Sequence, residues 1–68
     1  MILLSDKADF FIFLLEKYAE NKKKCAKDIL ALWQDNNIID YINEMYEQYH
    51  SERVENAIQD IDNKLLQL

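Results

Sequence analysis

Glycine and proline are both absent from this sequence. Two-residue hairpin turns depend on positive backbone φ, which glycine supplies, so a chain of β-hairpins loses its usual connectors. No glycine-rich loop can cradle a phosphate, and no proline interrupts a helix from within. Where a helix end needs the left-handed conformation, asparagine is the natural substitute. One cysteine, Cys25, and one histidine, His50, are present. Together they exclude an internal disulfide and leave no His/Cys set for a structural zinc site. Long apolar runs are missing too. The longest covers residues 10–15, against the roughly 18 that a membrane span needs. Residues 1–4 are apolar, but the run is short and no positive segment precedes it, which argues against a signal peptide. With a lone cysteine, this sets the expectation at the cytoplasm. Positive charge is scarce as well: eight Lys and Arg stand against thirteen Asp and Glu, for a net charge of −5. Phosphate backbones are bound by clustered Lys and Arg, so nucleic acid is a poor partner for this composition.

Half of the 68 residues are hydrophobic. That supplies a core and argues against disorder. One domain spanning residues 1–68 is expected. A core of this size nets only about 3–5 kcal/mol, so regular helix packing or association with another chain must contribute. The charge is uneven. Residues 28–62 hold nine acidic side chains and a single basic one, Arg53, whereas residues 1–27 hold four acidic and six basic. The later part of the chain is thus an acidic surface.

The spacing of apolar residues predicts four helices. The first covers 6–20, with Ser5 as N-cap, Asp6 and Asp9 near the positive helix end, and Ala8, Phe11, Leu15 and Tyr18 on one face. Asn21 is the expected stop. The second covers about 24–34 and buries Ala26, Ile29, Leu30 and Trp33. At Asp35-Asn36-Asn37 the chain breaks, with Asn36 left-handed and Asn37 capping a third helix over 38–49, whose stripe is Ile38, Ile42, Met45 and Tyr49. Ser51 is the expected cap of a fourth helix, which carries Val54, Ile58, Ile61, Leu65 and Leu68 at alternating spacings of four and three.

No catalytic constellation emerges. Cys25 would need a base, and only His50 is available. The cysteine reads better as a small, half-buried structural residue, and His50 as a helix C-terminal residue favoured by the dipole. Paired carboxylates such as Glu44 and Glu47 read as a solvated face, and the lysines at 22, 23, 24 and 27 as a solvated loop. No catalytic, cofactor-binding or metal-binding residue is therefore assigned.

Two features do not fit a plain core. The run 10–15 is apolar around the whole helix circumference, and Phe13 points opposite to the core face, into the sector of Asp6, Asp9, Lys17 and Glu20. Phe10 and Leu14 flank it and extend a potential patch. Phe13 is therefore expected to be covered, either by residues 1–4 or by another chain. Tyr41, Tyr46, Tyr49 and the following His50, beside Met45, cover more of the third helix than one stripe requires. Tyr and Met are enriched at protein interfaces; core tyrosines with hydroxyls at the surface are the structural alternative. Phe13, Tyr41, Tyr46, Tyr49 and His50 make up the candidate interface.

The string Phe10-Phe11-Ile12-Phe13-Leu14-Leu15-Glu16-Lys17-Tyr18, then Asp40-Tyr41-Ile42, Tyr46, His50-Ser51 and Asp60-Ile61-Asp62, resembles a family of very short bacterial proteins catalogued as a domain of unknown function. The resemblance covers nearly the whole chain and rests on the order and spacing of motifs. It implies a bacterial source and genes that sometimes lie beside ADP-ribosyltransferase-like toxins, a setting that suits an antitoxin or accessory partner. The family has no assigned catalytic residues.

The expected fold is all-α, a compact bundle of four short helices with the first at the centre. The expected function is non-enzymatic: a protein-interaction module, antitoxin-like or accessory to a toxin. A structural homo-oligomer is the alternative, and a small enzyme or metal protein stands behind both.

Overall fold

The computed structural model describes residues 6–67. Among them the chain is helical without strands, in five helices rather than four: α1 Asp6–Lys22, α2 Ala26–Asp35, α3 Ile39–Glu44, α4 Tyr46–Ser51 and α5 Val54–Leu66. As expected, α1 is central and packs against each of the other four. The expected cap Ser5 and the final stripe residue Leu68 lie outside the described residues.

The core is one cluster. Leu14, Leu15, Tyr18 and Ala19 come from α1, and Ile29 and Trp33 from α2. Ile38 and Ile42 enter from the start of α3, Tyr49 from α4, and Ala57, Ile58 and Ile61 from α5. Because α1 has neighbours on several sides, its buried face is broader than one stripe. Leu14 is fully buried, whereas Ala8 and Phe11, expected on the core face, are half-buried. Trp33 is fully buried, with the rings of Phe11 and Tyr18 edge-on to it at 5.7 and 5.4 Å. Its indole N–H finds no acceptor among the described residues. That omission costs about 1–3 kcal/mol, against the large apolar area the same side chain removes from water.

Without glycine, the two longest helices that need a sharp stop end on other residues. At the end of α1 the left-handed position is taken by Lys23, at φ 58°. Lys23 N–H donates to Glu20 O at 3.2 Å and Lys24 N–H to Ala19 O at 2.9 Å, the paired bonds of a Schellman motif. The expected stop at Asn21 is thus two residues too early. At the end of α2 the same pattern recurs around Asn37, also at φ 58°, with Asn37 N–H on Gln34 O and Ile38 N–H on Trp33 O, each 3.1 Å. Asn37, not Asn36, is left-handed, and Ile38 rather than Asn37 is the N-cap of α3, with no side-chain cap. Asn36 instead donates its side-chain N–H to Leu32 O. With the turn one residue later, Ile38 enters the same buried cluster as Trp33.

The expected third helix is divided at Met45, which joins α3 to α4 at φ −85°, ψ 6°. The reason lies across the bundle. Tyr41 and Tyr49 both donate to Asp60 Oδ2 of α5, at 2.7 and 2.5 Å. Residues eight apart on a straight helix are separated by about 12 Å of rise and about 80° of rotation. Bending the axis at Met45 brings both hydroxyls to one carboxylate oxygen. A second carboxylate on α5 does the same for α1: Asp62 accepts from the Tyr18 hydroxyl at 2.5 Å and from Lys22 Nζ at 2.6 Å. Ile61, between these two aspartates, is fully buried.

The last junction also differs from expectation. Ser51 ends α4, and its hydroxyl donates back to Gln48 O at 3.0 Å. Arg53, in extended conformation, takes the N-cap position of α5 without a side-chain cap.

Candidate protein-interaction surface

Phe10 and Phe13 lie three residues apart on α1, and Tyr46 and His50 four apart on α4, so each pair shares a helix face. Where the two helices meet, the rings form a continuous surface. Phe10 is its centre: edge-on to Tyr46 at 5.7 Å, edge-on to His50 at 6.0 Å and tilted against Phe13 at 6.2 Å. Tyr46 and His50 lie 5.2 Å apart. Such separations and edge-on geometries are those aromatic pairs favour. Phe13 is 45% exposed and Ile12 beside it 47%. His50 is exposed, and Phe10 and Tyr46 are half-buried.

Of the five residues expected at an interface, the structure brings Phe13, Tyr46 and His50 together and sends two elsewhere. Tyr49 is only 1% exposed and belongs to the core. Burial, then its hydrogen bond to Asp60, pushes its hydroxyl pKa up from 10. Tyr41 is half-buried with its hydroxyl on the same carboxylate, which holds its pKa up as well, and Lys64 Nζ lies 4.6 Å above its ring. Both match the alternative of core tyrosines with hydroxyls towards the surface. Leu14, expected at the edge of the Phe13 sector, is fully buried and contributes nothing to the patch. Phe10 does contribute, and holds the patch together. Its signal in the sequence was the spacing of three from Phe13; its contact with α4 had no signal at all.

The charges around the patch are mixed. Lys17 Nζ lies 5.8 Å from the centre of the Phe13 ring. Tyr46 has its hydroxyl pKa raised by partial desolvation and then by the negative charges of Asp6 and Glu47. Asp6 and Asp9 stand in the first turn of α1, and Glu47 in that of α4.

The chemistry available elsewhere is limited. Among the described residues no group of three or more His, Cys, Asp or Glu is placed to hold a metal ion. Cys25 is exposed at the start of α2, where its half-buried placement was expected. A surface groove of about 540 Å³ runs between α1 and α3, lined by Lys7, Ala8, Phe11, Ile12, Ile39 and Asn43, with Lys7 the one ionisable side chain in that lining. No helix among the described residues is long and apolar enough to cross a membrane.

The family model for DUF3791, described as a protein of unknown function, matches residues 9–66. No curated protein and no solved structure matches the chain. The match takes in every one of the motifs from the apolar run of α1 to the Asp60-Ile61-Asp62 segment, and the chain belongs to the DUF3791 family.

Proposed function

We propose that this chain is a non-enzymatic protein-interaction module that works by covering a site on a partner protein. The observation that carries the reading is the surface formed by Phe10, Phe13, Tyr46 and His50, where two helices bring four rings together with Phe13 and His50 exposed and Phe10 and Tyr46 half-buried beneath them. Contiguous exposed apolar surface on a small protein marks contact sites, and aromatic residues dominate the energetic centres of interfaces. The acidic character of residues 28–62 adds steering towards a basic surface. The resemblance to proteins encoded beside ADP-ribosyltransferase-like toxins makes such an enzyme the first partner to test, with occlusion of its basic substrate site as the mode of neutralisation.

The test is co-expression of the tagged chain with the product of the adjacent gene, followed by co-purification of parent and Phe13→Glu. The parent is expected to retain the neighbour and Phe13→Glu to lose it, with unchanged helical circular dichroism. Retention by both would remove the patch from the interface. A self-associating chain is the second reading, favoured by the side-by-side exposure of Ile12 and Phe13; sedimentation would then show a parent oligomer that Phe13→Glu converts to monomer, with no second protein bound.

A further inference from the structure

The groove of about 540 Å³ between α1 and α3 is lined by none of the patch rings Phe10, Phe13, Tyr46 and His50. Each of its walls follows one helix face. On α1, Ala8 stands three and four residues before Phe11 and Ile12, and Lys7 one turn before Phe11; on α3, Ile39 and Asn43 are four apart. The apolar lining is only partly covered by the chain: Ile12 is 47% exposed, and Ala8, Phe11 and Ile39 are half-buried. One polar group stands on each wall. Lys7 makes no ion pair and lies over no aromatic ring among the described residues. Asn43 is half-buried, and its side-chain amide makes no hydrogen bond among them.

We infer that this groove binds a small monocarboxylate with an unbranched apolar chain, of the size of a medium-chain fatty acid. The alkyl chain lies against Phe11, Ile12 and Ile39, and the carboxylate takes the Lys7 ammonium and the Asn43 amide as donors. The inference goes beyond the interaction reading and does not depend on it. Small-molecule sites are concave, of a few hundred Å³, mostly apolar, with a few polar groups that fix orientation; this groove has that size and that make-up. Removing methylenes from water drives the chain in. The head group follows from the lining. Its one ionisable side chain is a cation, so an anion is favoured and an amine repelled. Lysine donates from three N–H bonds and the asparagine amide from two, so two donors on facing walls suit the two oxygens of one carboxylate. A single negative charge fits better than a phosphate, because Asp6 and Asp9 of α1 and Asp40 of α3 stand in the first turns of the same two helices.

The experiment titrates the isotope-labelled full chain with octanoate, octanol and octylamine, each below its micelle threshold. Octanoate is expected to bind most tightly and octylamine least, with saturable shifts at Ala8, Phe11, Ile12, Ile39 and Asn43. Along butanoate, hexanoate and octanoate the affinity should rise about two- to four-fold per added methylene. Two variants separate head from chain, and both change exposed residues, so helical circular dichroism should stay at the parent value. Lys7→Gln is expected to weaken octanoate about three-fold and leave octanol unchanged. Ile12→Gln is expected to weaken both ligands to a similar degree. Octylamine bound as tightly as octanoate, a Lys7→Gln variant that keeps the full preference for the acid, or shifts centred on Phe13 and Tyr46 would overturn the inference and leave adsorption to exposed apolar surface. The absence of any saturable shift with octanoate would overturn it as well.

Discussion

Asp60→Ala tests the packing argument most directly. In the parent, one carboxylate oxygen accepts from Tyr49 at 2.5 Å and from Tyr41 at 2.7 Å. Removing it leaves the Tyr49 hydroxyl without its acceptor inside the core, since that residue is almost fully buried. A buried hydroxyl left unpaired costs about 1–3 kcal/mol. Tyr41 is nearer the solvent and finds water instead, so its loss adds only about 0.5–1 kcal/mol. Relief of repulsion among the nine acidic residues of 28–62 returns a few tenths. The sum is a loss of about 1–4 kcal/mol, a large share of the roughly 3–5 kcal/mol that a domain of this size holds. Urea unfolding followed by circular dichroism and by the fluorescence of the single, buried tryptophan, Trp33, reads this out. Asp60→Asn keeps a neutral acceptor and is expected to cost about 1 kcal/mol, because charge-assisted bonds are about twice as strong as neutral ones. The decisive comparison is a cycle with Tyr49→Phe. Alone it costs about 1–2 kcal/mol; in the Asp60→Ala background it should cost much less, as the hydroxyl it removes has lost its carboxylate acceptor. Equal costs in both backgrounds would mean that the two side chains are not coupled, and the explanation for the bend at Met45 would fail with them.

Lys23→Gly should raise stability by about 1 kcal/mol, because a β-carbon is disfavoured at φ 58° and glycine is not; a less stable variant would show that the turn at the end of α1 is not left-handed in solution. The hydroxyls of Tyr18, Tyr41 and Tyr49 all have pKa values raised above 10 in the folded chain, so the stability they lend is complete below about pH 10 and falls as pH rises beyond it towards their folded values. Helicity should hold to that point and then decline together with the appearance of tyrosinate absorbance, whereas ionisation of all four tyrosines with the helices intact would contradict the buried hydrogen bonds. Ile58→Ala and Ile61→Ala should each cost about 2–5 kcal/mol, with Ile61, fully buried, at the upper end; two variants that melt like the parent would take α5 out of the core. Phe13→Glu should leave stability within about 0.5 kcal/mol, since the ring is nearly half exposed and does not belong to the central cluster, and unfolding of this variant in thermal melts would show that residues 1–4 or another element bury it.

Periodicity carried the sequence reading as far as local geometry goes. Ile29 and Trp33, Ile38, Ile42 and Tyr49, and Ile58 and Ile61 were all placed on the inward faces that they occupy. The errors cluster at helix ends. Lys23 is left-handed though lysine has no local preference for it, while Asn21 and Asn36, which do, are not. What decides is which residue must land in the core after the turn. Ending α2 at Asp35 with Asn37 left-handed delivers Ile38 into the buried cluster that holds Trp33, and a gain of a buried isoleucine side chain, about 1.5–3 kcal/mol, outweighs any preference of asparagine for one position over the next.

The division of the third helix was invisible for a different reason. Nothing near Met45 is a helix breaker; the residues that set the bend are Tyr41, Tyr49 and Asp60, separated by 11 and 19 positions along the chain. A periodic pattern reports which face is apolar and says nothing of where a tyrosine hydroxyl ends. The same pairing sorted the aromatic residues of the candidate interface. Tyr41 and Tyr49 have an acceptor across the bundle and turn inward to it, and in doing so they fix the orientation of α4. Tyr46 and His50 then face the other way, where Phe10 of α1 meets them. The surface proposed to bind a partner is thus held in place by a carboxylate that lies on α5, outside the patch. A loss of Asp60 should therefore disturb the contacts of Phe10 with Tyr46 and His50 even in conditions where the domain stays folded, and ring-current shifts of the His50 resonances in Asp60→Ala, read at a temperature where that variant is folded, provide the measure. If those shifts stay at parent values while Tyr49 loses its hydrogen bond, α4 is positioned by apolar packing alone and the clasp contributes stability without shaping the surface.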